Sequence, residues 1–364
     1  MKNIFYLFNL FFIFSCKPSA EETCFISKET PFEYVEPKSL SVQEILKEKP
    51  KYLDVLDLKK FRSFKQDSIE QHSAEWDEEA SLKKINLYKK KYAEFDKYFG
   101  DQFSFGYIEK KQINNITYAL AKGSGGNWLL KIENGKSSAY FLGLTYSHYY
   151  INSKQDLPII KDGYLQFEGS FVKIIKVPGL PGYDDYSSIK DGNLFRIKLT
   201  DLEKDSDRDG YNDILEKAIG LNPNKKDTDD DEIDDFNDLN PKYKSENNKY
   251  TELYLQISNG HQFANLIAKN NPYFFTFYES DCEYFHKINP ENSRVIFIPK
   301  KDKDKTYYER ITDLTDFGIS KMKKTNGNPD KVYISTWGSS YSNDYAAEYI
   351  KGKWVLTLVS GKVI

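Results

Sequence analysis

Between residues 205 and 238 the chain carries carboxylates at a spacing that leaves it little freedom of fold. Residues 205–216 read Asp-Ser-Asp-Arg-Asp-Gly-Tyr-Asn-Asp-Ile-Leu-Glu, with acids at positions 1, 3, 5, 9 and 12 and glycine at position 6. Unscreened like charges near a protein surface repel by a few kcal/mol at about 4 Å. Such a stretch closes up only around something positive. Calcium suits the pattern, because it takes about 6–8 hard oxygen ligands and alternating residues wrap the backbone around it. Asp205, Asp207 and Asp209 are expected to supply monodentate oxygens. Gly210 permits a sharp turn that points the carbonyl of Tyr211 inward, Asp213 binds directly or through water, and Glu216 closes the site with two oxygens.

A second copy starts 22 residues later, Asp-Thr-Asp-Asp-Asp-Glu-Ile-Asp-Asp-Phe-Asn-Asp over 227–238. Asp227, Asp229, Asp231, Asp235 and Asp238 take the same five positions, and Ile233 offers its carbonyl. Glu232 replaces the glycine, and a non-glycine residue in a left-handed turn costs about 1 kcal/mol. Asp238 is also shorter than the glutamate it replaces, so the second of the two calcium sites is expected to be the weaker. Residues 201–240 hold 15 acids and 5 bases, and the rest of the chain 40 acids and 47 bases, so the near-neutral net charge of −3 is a sum of unlike parts. That distribution disfavours a globally basic nucleic-acid binder. Extracellular modules of this kind bind calcium at roughly 10⁻⁴–10⁻³ M, which argues for a permanent structural ion over a sensor.

The flanks separate two families that share this loop. A helix should enter an EF-hand, but Phe195, Ile197 and Leu199 alternate as a strand does. A short helix through Ile214, Leu215, Ala218 and Ile219 follows the first loop and stops at Gly220, and the second loop runs into Asn240-Pro241. The stretch from Asp205 to Pro241 resembles the tandem calcium repeats of the bacterial thrombospondin type 3 family. The resemblance covers about 40 of the 364 residues, and implies calcium-dependent structural elements of envelope or secreted proteins. Glu232 departs from the family pattern, as do Arg208 and Asp230, which stand where glycine is common at position 4.

At the N-terminus, Met1-Lys2 precedes a run from Ile4 to Phe14 that is apolar except for Asn9. It is too short for a membrane span of roughly 20 residues and suits a signal-peptide core. Ile13-Phe14-Ser15-Cys16 resembles the lipobox of bacterial lipoproteins, which implies cleavage before Cys16 and a lipid on its thiol, anchoring the protein to an envelope membrane, the outer one by expectation. Cys24 and Cys282 then remain. In an oxidising compartment they are free to pair, and equally free to stay as two thiols.

Residues 40–100 read as helical: Ser41 and Glu44 fit a capping box, and Ile85, Tyr88, Tyr92 and Phe95 fall on one helix face. From 102 to 200 short β runs follow, with Asn134-Gly135 a strong hairpin signal and Pro178 to Tyr186 a loop. After 250, β runs are expected at Thr251 to Ile257, Arg294 to Pro299 and Val332 to Thr336, with a terminal hairpin at Lys351-Gly352. A faint echo links Trp128 to Lys136 with Trp354 to Lys362. The expected class is α+β: a signal peptide (1–15), a tether (16–39), an N-terminal helical region with a β module (40–200), the calcium-loop segment (201–245) and a C-terminal β-rich module (246–364), both modules antiparallel.

Catalytic signals are weak. His72, His148, His261 and His286 sit in no metal-binding spacing, no phosphate loop or nucleophile elbow occurs, and Cys282 with His286 is a faint candidate dyad. The expectation is a non-catalytic calcium-binding envelope lipoprotein that binds a protein or glycan. A secreted calcium-stabilised hydrolase, glycan- or peptide-directed, is the alternative, because two catalytic carboxylates can lie far apart in sequence.

Overall fold

The computed structural model describes residues 19–26, 40–72, 78–104, 106–176, 184–259, 271–302, 318–338 and 341–363. The signal-peptide and lipidation region, Cys16 included, lies outside them, as do most of the tether, His261 and residues 178–183 of the Pro/Gly loop. The chain is α+β. No helix among the described residues is long and apolar enough to cross a membrane.

Helix α1 (Ala20–Cys24) opens the described chain and α2 (Val42–Glu48) begins at the Ser41/Glu44 capping box. Strand β1 (Leu53–Asp57) then interrupts the region expected to be helical. The reason is tertiary: Leu53 to Asp57 lie antiparallel to Ile197 to Asn193 of a distant strand. Helices α3 (Phe64–His72) and α4 (Glu78–Phe99) follow. The buried stripe on α4 starts one turn later than the spacing implies. Tyr92, Phe95 and Phe99 are buried and Tyr88 half-buried, but Ile85 is 41% exposed.

The stripe packs on a four-stranded antiparallel meander of β2 (Tyr107–Ile113), β3 (Ile116–Gly123), β4 (Gly126–Glu133) and β5 (Lys136–Phe141). The Tyr92 and Tyr107 rings stack at 4.8 Å. Asn134 and Gly135 both have positive φ, as the β4–β5 turn requires. A second sheet is built from β6 (Tyr149–Ile151), β7 (Ile160–Lys161), β8 (Tyr164–Lys176) and β9 (Asp184–Lys198), with β1 on its edge against β9. Asp184 to Tyr186, expected in the loop, pair with β8.

Short helices α5 (Leu199–Leu202) and α6 (Asp213–Ile219) bracket the first acidic loop, and α7 (Lys249–Asn259) follows the second. The alternation Leu253, Leu255, Ile257 suggests a strand, but the segment is helical. Asn248 caps it, accepting from the backbone N–H groups of Tyr250 and Thr251 while Thr251 Oγ1 accepts from Asn248 N. Leu253 and Ile257 then share a buried face at i, i+4.

Strands β10 (Phe275–Glu279) and β11 (Arg294–Ile298) flank α8 (Glu283–His286) and pair in parallel, a departure from all-antiparallel modules. Their side chains alternate between two hydrophobic cores. Phe275, Phe277, Ile296 and Ile298 enter the one under the first two sheets, and Tyr278, Val295 and Phe297 the other. Strands β12 (Gly318–Ile319), β13 (Lys323–Thr325), β14 (Asn328–Gly338), β15 (Tyr341–Ile350) and β16 (Lys353–Val363) form the last sheet. The Trp128 and Trp354 echo does not extend to structure: Gly135 turns a hairpin, whereas Gly361 lies within β16 opposite Asn343. Cys24 and Cys282 are joined by a disulfide, which ties α1 to α8 in the second core.

Candidate metal centre

The two acidic loops fold alike because their carboxylates first satisfy their own backbone. Asp205 accepts from the N–H of Arg208 (2.6 Å) and Gly210 (3.2 Å), and Asp227 from those of Asp230 (2.7 Å) and Glu232 (2.9 Å). Position 4 is left-handed in both loops, with φ +65° at Arg208 and +64° at Asp230. Position 6 has φ +121° at Gly210 and +80° at Glu232, so Glu232 takes up the left-handed turn and its N–H keeps the bond to Asp227. At Gly210 the need for glycine is also steric. A Cβ there would stand 2.8 Å from the Phe236 ring, which folds down from the second repeat.

After these bonds, five carboxylate oxygens remain buried with no hydrogen-bond partner: Oδ2 of Asp207, Asp209 and Asp229, and both oxygens of Glu216. Asp207 and Asp229 are the same position, 22 residues apart. Carboxylate oxygens of Asp205, Asp207 and Asp209 lie within 4.8 Å of one another, as do those of Asp227, Asp229 and Asp231. A third such group joins Asp209 and Glu216 of the first repeat to Asp235 of the second. Buried anions without partners are costly unless a cation or a proton neutralises them. The donor set, all hard oxygen, fits calcium.

The electrostatics record that crowding. Burial, then Asp207 and Asp209, push Glu216 up to about 9. Burial and Asp207 raise Asp209 to about 7. Burial and neighbouring aspartates bring Asp229, Asp235 and Asp238 to about 6. Asp227 goes the other way: although burial opposes it, the N–H groups of Glu232, Asp231 and Asp230 hold it below the usual range.

Position 9 is bound into its own loop in both repeats. Asp213 accepts from Ser206 N (2.8 Å) and Ser206 Oγ (2.9 Å), and pairs with Lys204 at 2.7 Å. Asp235 accepts from Thr228 N (2.8 Å) and Oγ1 (2.7 Å) in the same way. Each is a latch that closes the loop on its second residue. Hydroxyl residues at position 2 in both copies were the signal for it. Asp213 belongs to none of the three oxygen groups, whereas Asp235 is both latch and member of the group that spans the repeats. Asp238, expected to close the second loop, is buried, accepts from Asn240 N at 2.9 Å and stands outside the three groups. Tyr211 N–H donates to Asp209 and Ile233 N–H to Asp231, so both carbonyl-position residues are bound into their loops.

The repeats are also fastened to the two cores. The Asn212 side chain accepts from Phe141 N (3.2 Å) and donates to the carbonyls of Phe141 (3.0 Å) and Leu202 (2.9 Å). Tyr211, fully buried in the first core, donates its hydroxyl to Pro272 O at 2.6 Å. On the other side, Asn240 donates to the carbonyls of His286 (2.7 Å) and Ile288 (2.9 Å), and Val295 N–H reaches Leu239 O at 2.8 Å.

The Cys282–His286 dyad is overturned. Cys282 is bonded to Cys24 and has no thiol to activate, and the His286 ring stacks on Tyr243 with its Nε2–H donated to Ser280 O. Comparison with family models, with curated proteins and with solved structures finds no match to this chain.

Proposed function

We propose that this chain is a calcium-binding lipoprotein of the bacterial envelope, anchored through Cys16 and without catalytic activity. Two calcium ions rigidify the segment between an N-terminal and a C-terminal β-containing module. The carrying observation is the set of five buried carboxylate oxygens without partners, two of them, on Asp207 and Asp229, at equivalent positions of a 22-residue repeat. Asp205, Asp207, Asp209 and Glu216 would hold the first ion. Asp227, Asp229, Asp231 and Asp238 would hold the second, and Asp235 would stand between. The bound ions supply positive charge to an acidic joint. Asn212 and Asn240 carry the resulting stiffness into the two cores, because each clamps its repeat to the backbone of a different one.

The partner is a protein or a glycan, and not a nucleic acid. Tyr333 and Trp337, four residues apart on β14 and so on one sheet face, are 38% and 44% exposed. That pair supports a shallow aromatic contact surface over a deep catalytic cleft.

The test is thermal melting of residues 17–364 with calcium and with chelator. An ion at about 100 times its dissociation constant stabilises by about 2.7 kcal/mol per site. Two sites then raise the melting temperature by about 10 °C, and Asp205→Ala removes part of that gain. Superimposable curves, with no calcium heat in calorimetry, would discard the metal reading. Palmitate labelling that is lost in Cys16→Ser tests the anchor separately.

A further inference from the structure

Helix α6 presents Glu216 to the ion cage and uses its other side to wall a cavity of about 500 Å³. At about 100° per residue, Ile214, Lys217 and Ala218 share a face roughly opposite Glu216. That volume lies in the range that encloses a small organic molecule. The apolar walls are Tyr52, Tyr149, Ile214 and Ala218. Gly143 lets them close together, because a Cβ there would stand 2.1 Å from the Tyr52 hydroxyl and 2.9 Å from Ile214 Cγ2. The hydroxyl donates to Leu142 O at 3.1 Å, which fixes the Tyr52 ring in place.

The charges at the rim do not balance. Asp213 is matched by Lys204 at 2.7 Å and Lys217 at 3.7 Å. Glu48 and Asp201 also line the cavity, and among the described residues neither has a cationic partner within ion-pair distance. Burial, and then the charge of Glu48, push the Tyr149 phenol up, which places that carboxylate's field inside the cavity. An anionic ligand would have to take Lys204 from Asp213, whose remaining bonds hold the first loop shut at Ser206. A cation meets two uncommitted carboxylates, and tyrosine faces attract it as well.

We propose that this cavity binds a small organic cation with an apolar body, the ammonium group held by Glu48 and Asp201 and the body lying against Tyr52, Ile214 and Ala218. The site lies outside the three carboxylate-oxygen groups and shares with the first loop the side chain of Asp213. An amine of modest size is the expected ligand class.

Phenethylamine is the probe, and 3-phenylpropanoate, similar in size and opposite in charge, is its control. Both are titrated by calorimetry into the full chain in detergent, with the disulfide intact and calcium in excess. Phenethylamine is expected to bind at about millimolar or tighter, given its few heavy atoms, and phenylpropanoate not to bind. Glu48→Gln and Asp201→Asn should each weaken the amine by about three- to tenfold. Ala218→Trp should fill the cavity and abolish binding. Lys217→Gln, a change at an exposed side chain, should tighten binding and keeps the test open if the tryptophan variant fails to fold. Equal binding of the two probes, indifference of the amine to both carboxylate variants, or no amine heat at tens of millimolar would each overturn the proposal.

Discussion

Filling the two loops with calcium should expel protons, and the acids themselves set the number. Without an ion, Glu216 is held up to about 9 and Asp209 to about 7. Asp229, Asp235 and Asp238 are held to about 6. A carboxylate must be ionised to ligate. From these values roughly one proton leaves at about pH 7.5, about three-quarters of it from Glu216 and most of the rest from Asp209, and roughly three leave at about pH 6. The product of the two calcium constants should then fall about a thousandfold between those pH values. Calorimetric titration in buffers of different ionisation enthalpy measures the release directly, and Glu216→Gln should cut it to about a quarter at the higher pH. The same acids set the sign for the metal-free protein. Glu216 has its folded value raised above the unfolded one of about 4.3, so its contribution is complete below that pH and is lost as the pH rises toward about 9. In chelator the melting temperature should therefore decline from about pH 5 to about pH 9, and calcium should abolish the decline. A calcium heat identical in every buffer, with affinity unchanged over the same range, would refute the assignment of Glu216 to an ion.

Four further outcomes follow from particular contacts. Ser206→Ala removes the hydroxyl arm of the Asp213 latch and should lower stability by about 1 kcal/mol in urea unfolding. Gly210→Ala combines a strained φ of +121° with a clash at 2.8 Å against Phe236, and should cost about 2 kcal/mol while weakening calcium binding to the first loop. Opening the Cys24–Cys282 bond by double substitution with serine releases a loop of 258 residues and should lower stability by about 5 kcal/mol. Burial pushes the His286 imidazole below its usual range. Its contribution to stability is therefore present above about pH 6.5 and lost as the pH falls. Wild type should thus lose urea resistance relative to His286→Phe between about pH 7 and about pH 5.

Much of the candidate site is legible in the chain because its logic is local. The spacing of Asp205, Asp207, Asp209 and Glu216, its copy at 227–238, the capping box at Ser41 and the positive-φ turn at Asn134-Gly135 are all relations among residues fewer than a dozen apart. Backbone geometry over such a distance follows from residue type, and the structure bears out those turns and caps. Tertiary structure decided whatever depends on a distant neighbour. Leu53 to Asp57 are a strand because β9 offers them an edge, and 249–259 are a helix because one face meets the second core. The β10–β11 pair is parallel because it lies between two cores. The latches belong to the same class: Asp213 and Asp235 bind a hydroxyl and an N–H seven residues back, which are within reach once the loop has closed. Asp235 reaches Glu216 only because Phe236 brings the second repeat down onto Gly210. A carboxylate's position in the pattern sets which loop it belongs to, but its direction is settled by packing, since a side chain points toward the partners that the rest of the fold leaves open.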